Sequence, residues 1–193
     1  MKNVKLSGGK TLNLAQNIDR IPNIPRVGHF EKVSFPQFYV SIKDAFGDKW
    51  SDEEIRGFYD NIKLPTRATR GSAGYDFFSP IPFALKDWED IKLPTGIRVI
   101  INGGWYLACY PRSGMGFKNY LRLANSTGII DSDFSGSSNE GHIWAKVRVE
   151  KAGGAMNVAR GAAFMQGIFL PFGITYDDTA DGVRDGGFGS TGA

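Results

Sequence analysis

From Leu64 onward the chain is predicted to be all-β, a sandwich or jelly roll, and three features of the sequence carry that expectation. Short apolar or alternating runs are interrupted by Gly, Pro and Asn at intervals of about ten residues, the rhythm of strands joined by turns. His142 to Glu150 alternates, with Ile143, Ala145, Val147 and Val149 on one face against Trp144, Lys146 and Arg148 on the other, which puts His142 on the polar side of a strand. Phe164 to Phe172 is a longer apolar run suited to a buried strand. Folds made of many short antiparallel strands present loops at their ends and edges to partners.

Ahead of this body, Met1 to Val33 mixes Asn, Gly, Pro and Lys with isolated aliphatics, and Ile21-Pro22 and Ile24-Pro25 favour extended chain. An arm lying on the body or on a neighbour is expected. In Ser34-Phe35-Pro36-Gln37 an N-cap is followed by a first-turn proline and a Gln three residues on, and Phe38, Ile42 and Phe46 recur at intervals of four. That spacing predicts a helix over 35–46. Ser51-Asp52-Glu53-Glu54 is a second capping box, with Ile55, Phe58, Tyr59 and Ile62 on one face. Both helices are expected to pack on the sheet, and no chemistry is assigned to them. Ile91 to Ile101, the turn Asn102-Gly103-Gly104 and Trp105 to Tyr110 read as a hairpin.

Ala124 to Gly136 reads as another hairpin, closing over something small; its amides and carbonyls can pair with a flat heterocycle as they would with a strand. An ordinary polar turn is the alternative for this segment alone. Asp177 to Ala193 is rich in Gly and acidic residues and has little to bury, so it is expected to be mobile until it meets a ligand. The chain thus divides into an arm with two helices (1–63), a β body (64–175) and a glycine-rich arm (176–193).

With 193 residues the chain suits one well-buried domain, and a formal net charge of +3 with both signs interspersed gives no reason to expect direct nucleic-acid binding. Cys109 is the single cysteine; it cannot form an internal disulfide and reads as a small core hydrophobe. No apolar run suggests a signal peptide or a membrane span, so a cytoplasmic protein is expected.

Five segments carry the chemistry: Ala73-Gly74-Tyr75-Asp76, Pro111-Arg112-Ser113-Gly114, the Ala124–Gly136 segment, Gly161-Ala162-Ala163-Phe164-Met165-Gln166, and Arg184-Asp185-Gly186-Gly187-Phe188-Gly189-Ser190-Thr191-Gly192. They offer hydroxyls, glycine-flanked amides, a neutral Gln and an oxygen ligand, Asp76, of the kind Mg²⁺ prefers. Arg112, held between Pro111 and a Ser-Gly turn, reads as a buried salt-bridge organiser before a direct phosphate ligand. His29 and His142 stand outside these segments, so a Ser-His-Asp triad built on Ser113 is not supported.

In this order the set resembles the five motifs of the trimeric dUTPase family, over Leu64 to Gly192. The resemblance implies a distorted jelly-roll barrel with the two helices added, hydrolysis of dUTP to dUMP and pyrophosphate with Mg²⁺, and a homotrimer with sites between subunits. Carried to matching positions, it makes Asp131 the carboxylate that orients and deprotonates the attacking water. Ser113 contacts the α/β phosphate bridge, with Arg112 and Gly114 beside it. Asp76 holds Mg²⁺ through water. Asn125, with the backbone at Gly128 and Ile130, reads uracil. Phe134 stands where the family usually has Tyr under the deoxyribose. Gln166 contacts phosphate, Arg184 clamps the γ-phosphate region, Phe188 stacks on uracil, and Gly189, Ser190 and Thr191 bind the outer phosphates from an arm that crosses to a neighbour.

Two departures stand out. Ala163 and Ser135 occupy positions where the family commonly has arginines, and Arg160 or Lys118 are the candidates to compensate. Two other readings share the fold: a dCTP deaminase, which needs a glutamate beside the base, and a phage-type dUTPase-like module that contacts a regulatory protein through its extra arm.

Overall fold

The computed structural model describes residues 3–5, 11–13 and 24–184. In chain order these form β1 (Asn3–Lys5), β2 (Thr11–Asn13), β3 (Gly28–Lys32), α1 (Phe35–Phe46), α2 (Asp52–Asp60), β4 (Thr66–Arg67), β5 (Tyr75–Phe78), β6 (Phe83–Lys86), β7 (Asp90–Pro94) and β8 (Ile97–Ile101). There follow β9 (Trp105–Pro111), α3 (Ser113–Asn119), β10 (Leu121–Leu123), β11 (Gly128–Ile130), a 3₁₀ turn (Phe134–Gly136), β12 (Trp144–Val149), β13 (Ala155–Val158) and β14 (Ala163–Pro171).

The antiparallel ladders make a five-stranded sheet, β11-β9-β14-β5-β4, a three-stranded sheet, β10-β12-β7, and the pairs β13-β6, β3-β8 and β1-β2. Inward-facing residues of the two larger sheets meet in one core. Phe77, Leu107, Ile130 and Phe164 come from the first or its flanks, and Leu93, Leu121, Ile143 and Val147 from the second or its flanks. The alternation read in the sequence at 142–150 holds: Ala145, Val147 and Val149 are buried, while Lys146 is exposed. In β14 only Phe164, Met165 and Gly167 are buried, all in the half that pairs with β5, whose ladder stops at Gly167.

Both predicted hairpins are corrected. β8 pairs with β3, not β9, so the segment around Gly28 to Lys32 of the expected arm is a strand of the body. Thr95-Gly96 also splits 91–101 into two strands, with Gly96 at φ +73°, where an added Cβ would lie 2.3 Å from Ile62 Cδ1. β10 and β11 belong to different sheets, so 124–127 is a turn that crosses from one sheet to the other.

The helices form where their caps predicted. Ser51 and Glu54 complete a reciprocal capping box on α2, while on α1 the Ser34 hydroxyl accepts from Gln37 N at 3.3 Å. The reciprocal acceptor there is a distant residue: Glu140 Oε2 takes the Ser34 N–H at 2.7 Å and Oε1 takes its hydroxyl at 2.6 Å. Gln37 instead donates to Ser41 Oγ at 3.1 Å. Phe38, Ile42 and Ile55 are fully buried, so the helical pair is part of the core.

His142 is also corrected: it is wholly buried under α1 and not on a polar strand face. Gly96 N–H donates to its Nε2 at 2.7 Å, which leaves the proton on Nδ1 to donate to Ser41 Oγ at 3.0 Å. A neutral ring satisfies both partners, and burial pulls its pKa down to about 3. Between that value and the unfolded value of 6.5 the unfolded chain binds the extra proton, so stability falls as pH drops through this window. Lowering pH from 6.5 to 5 is expected to cost about 1–2 kcal/mol, read from urea midpoints; a flat profile would contradict the assigned network.

Candidate active site

Register places three of the expected residues in one corner. Across the five-stranded sheet Gln166 stands opposite both Tyr110 and Asp76, so these side chains share one face. β9 ends one residue before Arg112, whose Nε donates to Asp76 Oδ1 at 3.1 Å. The organising ion pair is therefore present, but it is not buried: Asp76 is 17% exposed and Arg112 45%. Gln166 Nε2 donates to Pro111 O at 3.2 Å, and a Cβ on Gly74 would meet Gln166 Oε1 at 2.5 Å, so the loop before Asp76 packs closely on that amide. Ser113 and Gly114 open α3 and are exposed. The corner presents a hydroxyl, an amide, a guanidinium and a carboxylate, with Tyr110 as a member that no spacing in the sequence signals, because only the ladder register brings it there.

A second cluster lies at the opposite end of β9. Ile130 is paired with Leu107 and buried, which aims the chain so that half-exposed Asp131 emerges beyond it. Leu107 to Pro111 spans about 13 Å of strand, and Asp131 and Ser113 lie past its two ends. One chain does not bring them together. Phe134 follows on the 3₁₀ turn and is buried. Arg184 packs on this cluster from the same chain: Nη2 contacts Asp131 Oδ2, Nε donates to Asp133 Oδ1 at 3.0 Å, and the guanidinium lies 5.6 Å from the Phe134 ring centroid. Asp133 was not singled out from the sequence; its place two residues after Asp131 was the available signal. Phe188, Gly189, Ser190 and Thr191 lie outside the described residues.

Between the two sheets, under the 124–127 turn, opens a cavity of about 360 Å³ lined by Asn125, Gly128, Ile130, Cys109, Met165 and Trp144 among others. Its walls are mostly apolar, with Lys92 Nζ 4.4 Å from the Trp144 ring centroid, and none of its lining residues is a carboxylate. Cys109 at its wall is a core residue as expected: burial pushes its thiol up to about 12, so it is not a nucleophile.

At one of the two positions without the usual arginine, Ser135, the backbone is tied to the body, because Arg98 of β8 donates Nη2–H to Ser135 O at 3.0 Å. No group of three or more His, Cys, Asp or Glu that could hold a metal occurs among the described residues. A lone carboxylate such as Asp76 suits Mg²⁺ only when phosphate and water oxygens complete the octahedron, which is how Mg²⁺ is usually held beside a polyphosphate. No helix among the described residues is long and apolar enough to cross a membrane.

Comparison with known proteins identifies the family. A deoxyuridine 5'-triphosphate nucleotidohydrolase of Lactococcus lactis subsp. lactis is 36% identical over 150 residues, covering 72% of this chain and 99% of that protein. Its counterpart in Dinoroseobacter shibae is 34% identical over 160 residues, covering 77% of this chain and 96% of that one. The crystal structure of the Streptococcus mutans dUTPase superposes with a TM-score of 0.55 at 27% identity, covering 76% of this chain and 97% of that chain. A dUTPase of Staphylococcus bacteriophage 80alpha, 17% identical with a TM-score of 0.56, shares the fold. The dUTPase family model matches residues 60–192, from the end of α2 through the glycine-rich arm. With the ordered motifs, the jelly-roll sheets and the full-length relatives in agreement, this chain belongs to the dUTPase family.

Proposed function

We infer that the protein hydrolyses dUTP to dUMP and pyrophosphate, using sites shared between subunits of a homotrimer. The observation that carries the shared site is the separation of Asp131 from Ser113, Arg112, Asp76 and Gln166 along β9. A single nucleotide can engage both sets only if a second copy supplies one of them. The sheet face between the clusters suits such a contact: Ile129, Ala108 and Ile168 form one cross-strand row and Tyr106 and Leu170 another, and Ile129 is half-exposed.

Within this site the cavity under the 124–127 turn receives uracil, with Asn125 and the backbone at Gly128 matching its donors and acceptors. Cytosine would leave its amino group facing an unmatched partner. A base deaminase needs a carboxylate beside the base, and the lining of this cavity supplies none. The deoxyribose rests on Phe134. Asp131 accepts a proton from the water attacking the α-phosphorus in line; the bond from that phosphorus to the bridging oxygen breaks, and pyrophosphate leaves. Ser113 and the amides around Gly114 stabilise the charge that grows on the bridge. Arg112 keeps Asp76 in place, and Gln166 holds a phosphate oxygen. Mg²⁺, when bound with the triphosphate, would be held by Asp76 through water and would neutralise phosphate charge. The family resemblance assigns Phe188 to the uracil face and Ser190 and Thr191 to the outer phosphates.

Incubation with dUTP, dCTP or UTP in Mg²⁺, followed by product separation, tests this reading. dUMP and pyrophosphate from dUTP alone is the expected result. dUTP formed from dCTP would support a deaminase, and inertness toward all three a binding module.

A further inference from the structure

The guanidinium of Arg184 stands where the nucleotide is expected. It contacts the carboxylate of Asp131, which is to aim the water, and covers the face of Phe134, which is to carry the sugar. A side chain of the protein itself thus blocks both surfaces that a substrate must touch. Arg184 is 17% exposed, whereas 177–183 ahead of it are exposed throughout, so one residue is docked and the rest of that stretch is not. Asp131 by itself does not account for the seat. Nε and Nη2 lie along one edge of the guanidinium, and the two carboxylates take one nitrogen each.

We propose that Asp133 is a positioning residue that seats Arg184 over Asp131 in the nucleotide-free protein, and that a bound triphosphate draws Arg184 away and uncovers the carboxylate. The assignment rests on the proposed function for the role of Asp131. Its physical basis is a competition between two half-exposed carboxylates, which hold an arginine weakly, and a triphosphate carrying close to four negative charges on oxygens suited to the same fork. Water activation is thereby coupled to the presence of a polyanion.

Full-length protein carrying Asp133→Asn tests the seat. Without nucleotide, tryptic cleavage after Arg184, which needs a free guanidinium, is expected to be roughly two- to fivefold faster than in the wild type. With dUTP, KM is expected to fall roughly two- to fivefold, the equilibrium share of one exposed ion pair, while kcat changes by less than about twofold. Asp133→Glu should restore both toward wild type. A merely structural role for Asp133 would raise KM or lower kcat, and either result, an unchanged KM or equal cleavage would overturn the proposal. Wild-type protein that turns over no dUTP would refute the function instead, and the cleavage comparison, which needs no turnover, would still decide the seat.

Discussion

Asp131→Asn is expected to bind dUTP within a few-fold of wild type and to lose turnover by about 10²- to 10⁴-fold. The amide has the shape of the carboxylate and keeps an oxygen toward Arg184, but it cannot take a proton from water at neutral pH. Binding survives because the base, sugar and phosphates are held by other groups. Folding survives because Asp131 is 47% exposed and follows an anchored residue, Ile130, which is 2% exposed and paired with Leu107. Single-turnover hydrolysis beside equilibrium binding of dUTP separates the two effects. Turnover at the wild-type rate would remove Asp131 as the base.

The second large effect is a rescue. Ser113→Ala alone is expected to lower kcat by about 10²-fold, as removal of a hydroxyl from developing charge does elsewhere. Asp131→Asn and Ser113→Ala chains, unfolded together and reassembled at equal concentration, should recover activity that neither has separately. If the two residues reach a given site from different subunits, half of the sites receive an intact Asp131 and half of those an intact Ser113, giving about a quarter of wild-type activity. If one chain supplied both, every mixed site would carry a defect and the mixture would stay as inactive as its components. Neither substitution disturbs the core, since Ser113 is exposed at the start of α3.

The local chemistry of this chain is unusually visible in its residues. The caps at Ser34 and Ser51 define α1 and α2 because a side-chain oxygen reaching an amide two or three residues on is a short-range event. The strand alternation at 142–150 is equally local. Strand partners are not: the Asn-Gly turn after β8 suggested that β8 and β9 pair, yet each found a longer-range neighbour. Turn propensity specifies a reversal of direction, whereas the ladder is chosen by whichever edge completes the core. His142 shows the same limit. Its alternation with Ile143 put it outside, and only the approach of α1, bringing Ser41, converted that position into a buried one with a partner for each ring nitrogen.

The residues of the site divide along the same line. Order and identity of the motifs determined, from the sequence alone, that the chain is a dUTPase-family member, and they nominate Asp76, Ser113, Asn125, Asp131 and Gln166 as its expected site residues. That much is local, since each nomination depends on a functional group in a short backbone setting. Only the tertiary structure decided that Asp131 and Ser113 lie past opposite ends of the Leu107–Pro111 span of β9, that Arg98 ties down the turn at Ser135, and that Arg184 rests on its own chain's carboxylates. Those facts depend on ladder register and on contacts between residues far apart in the chain, which are set by how the sheets close over their shared core and by no single stretch of sequence.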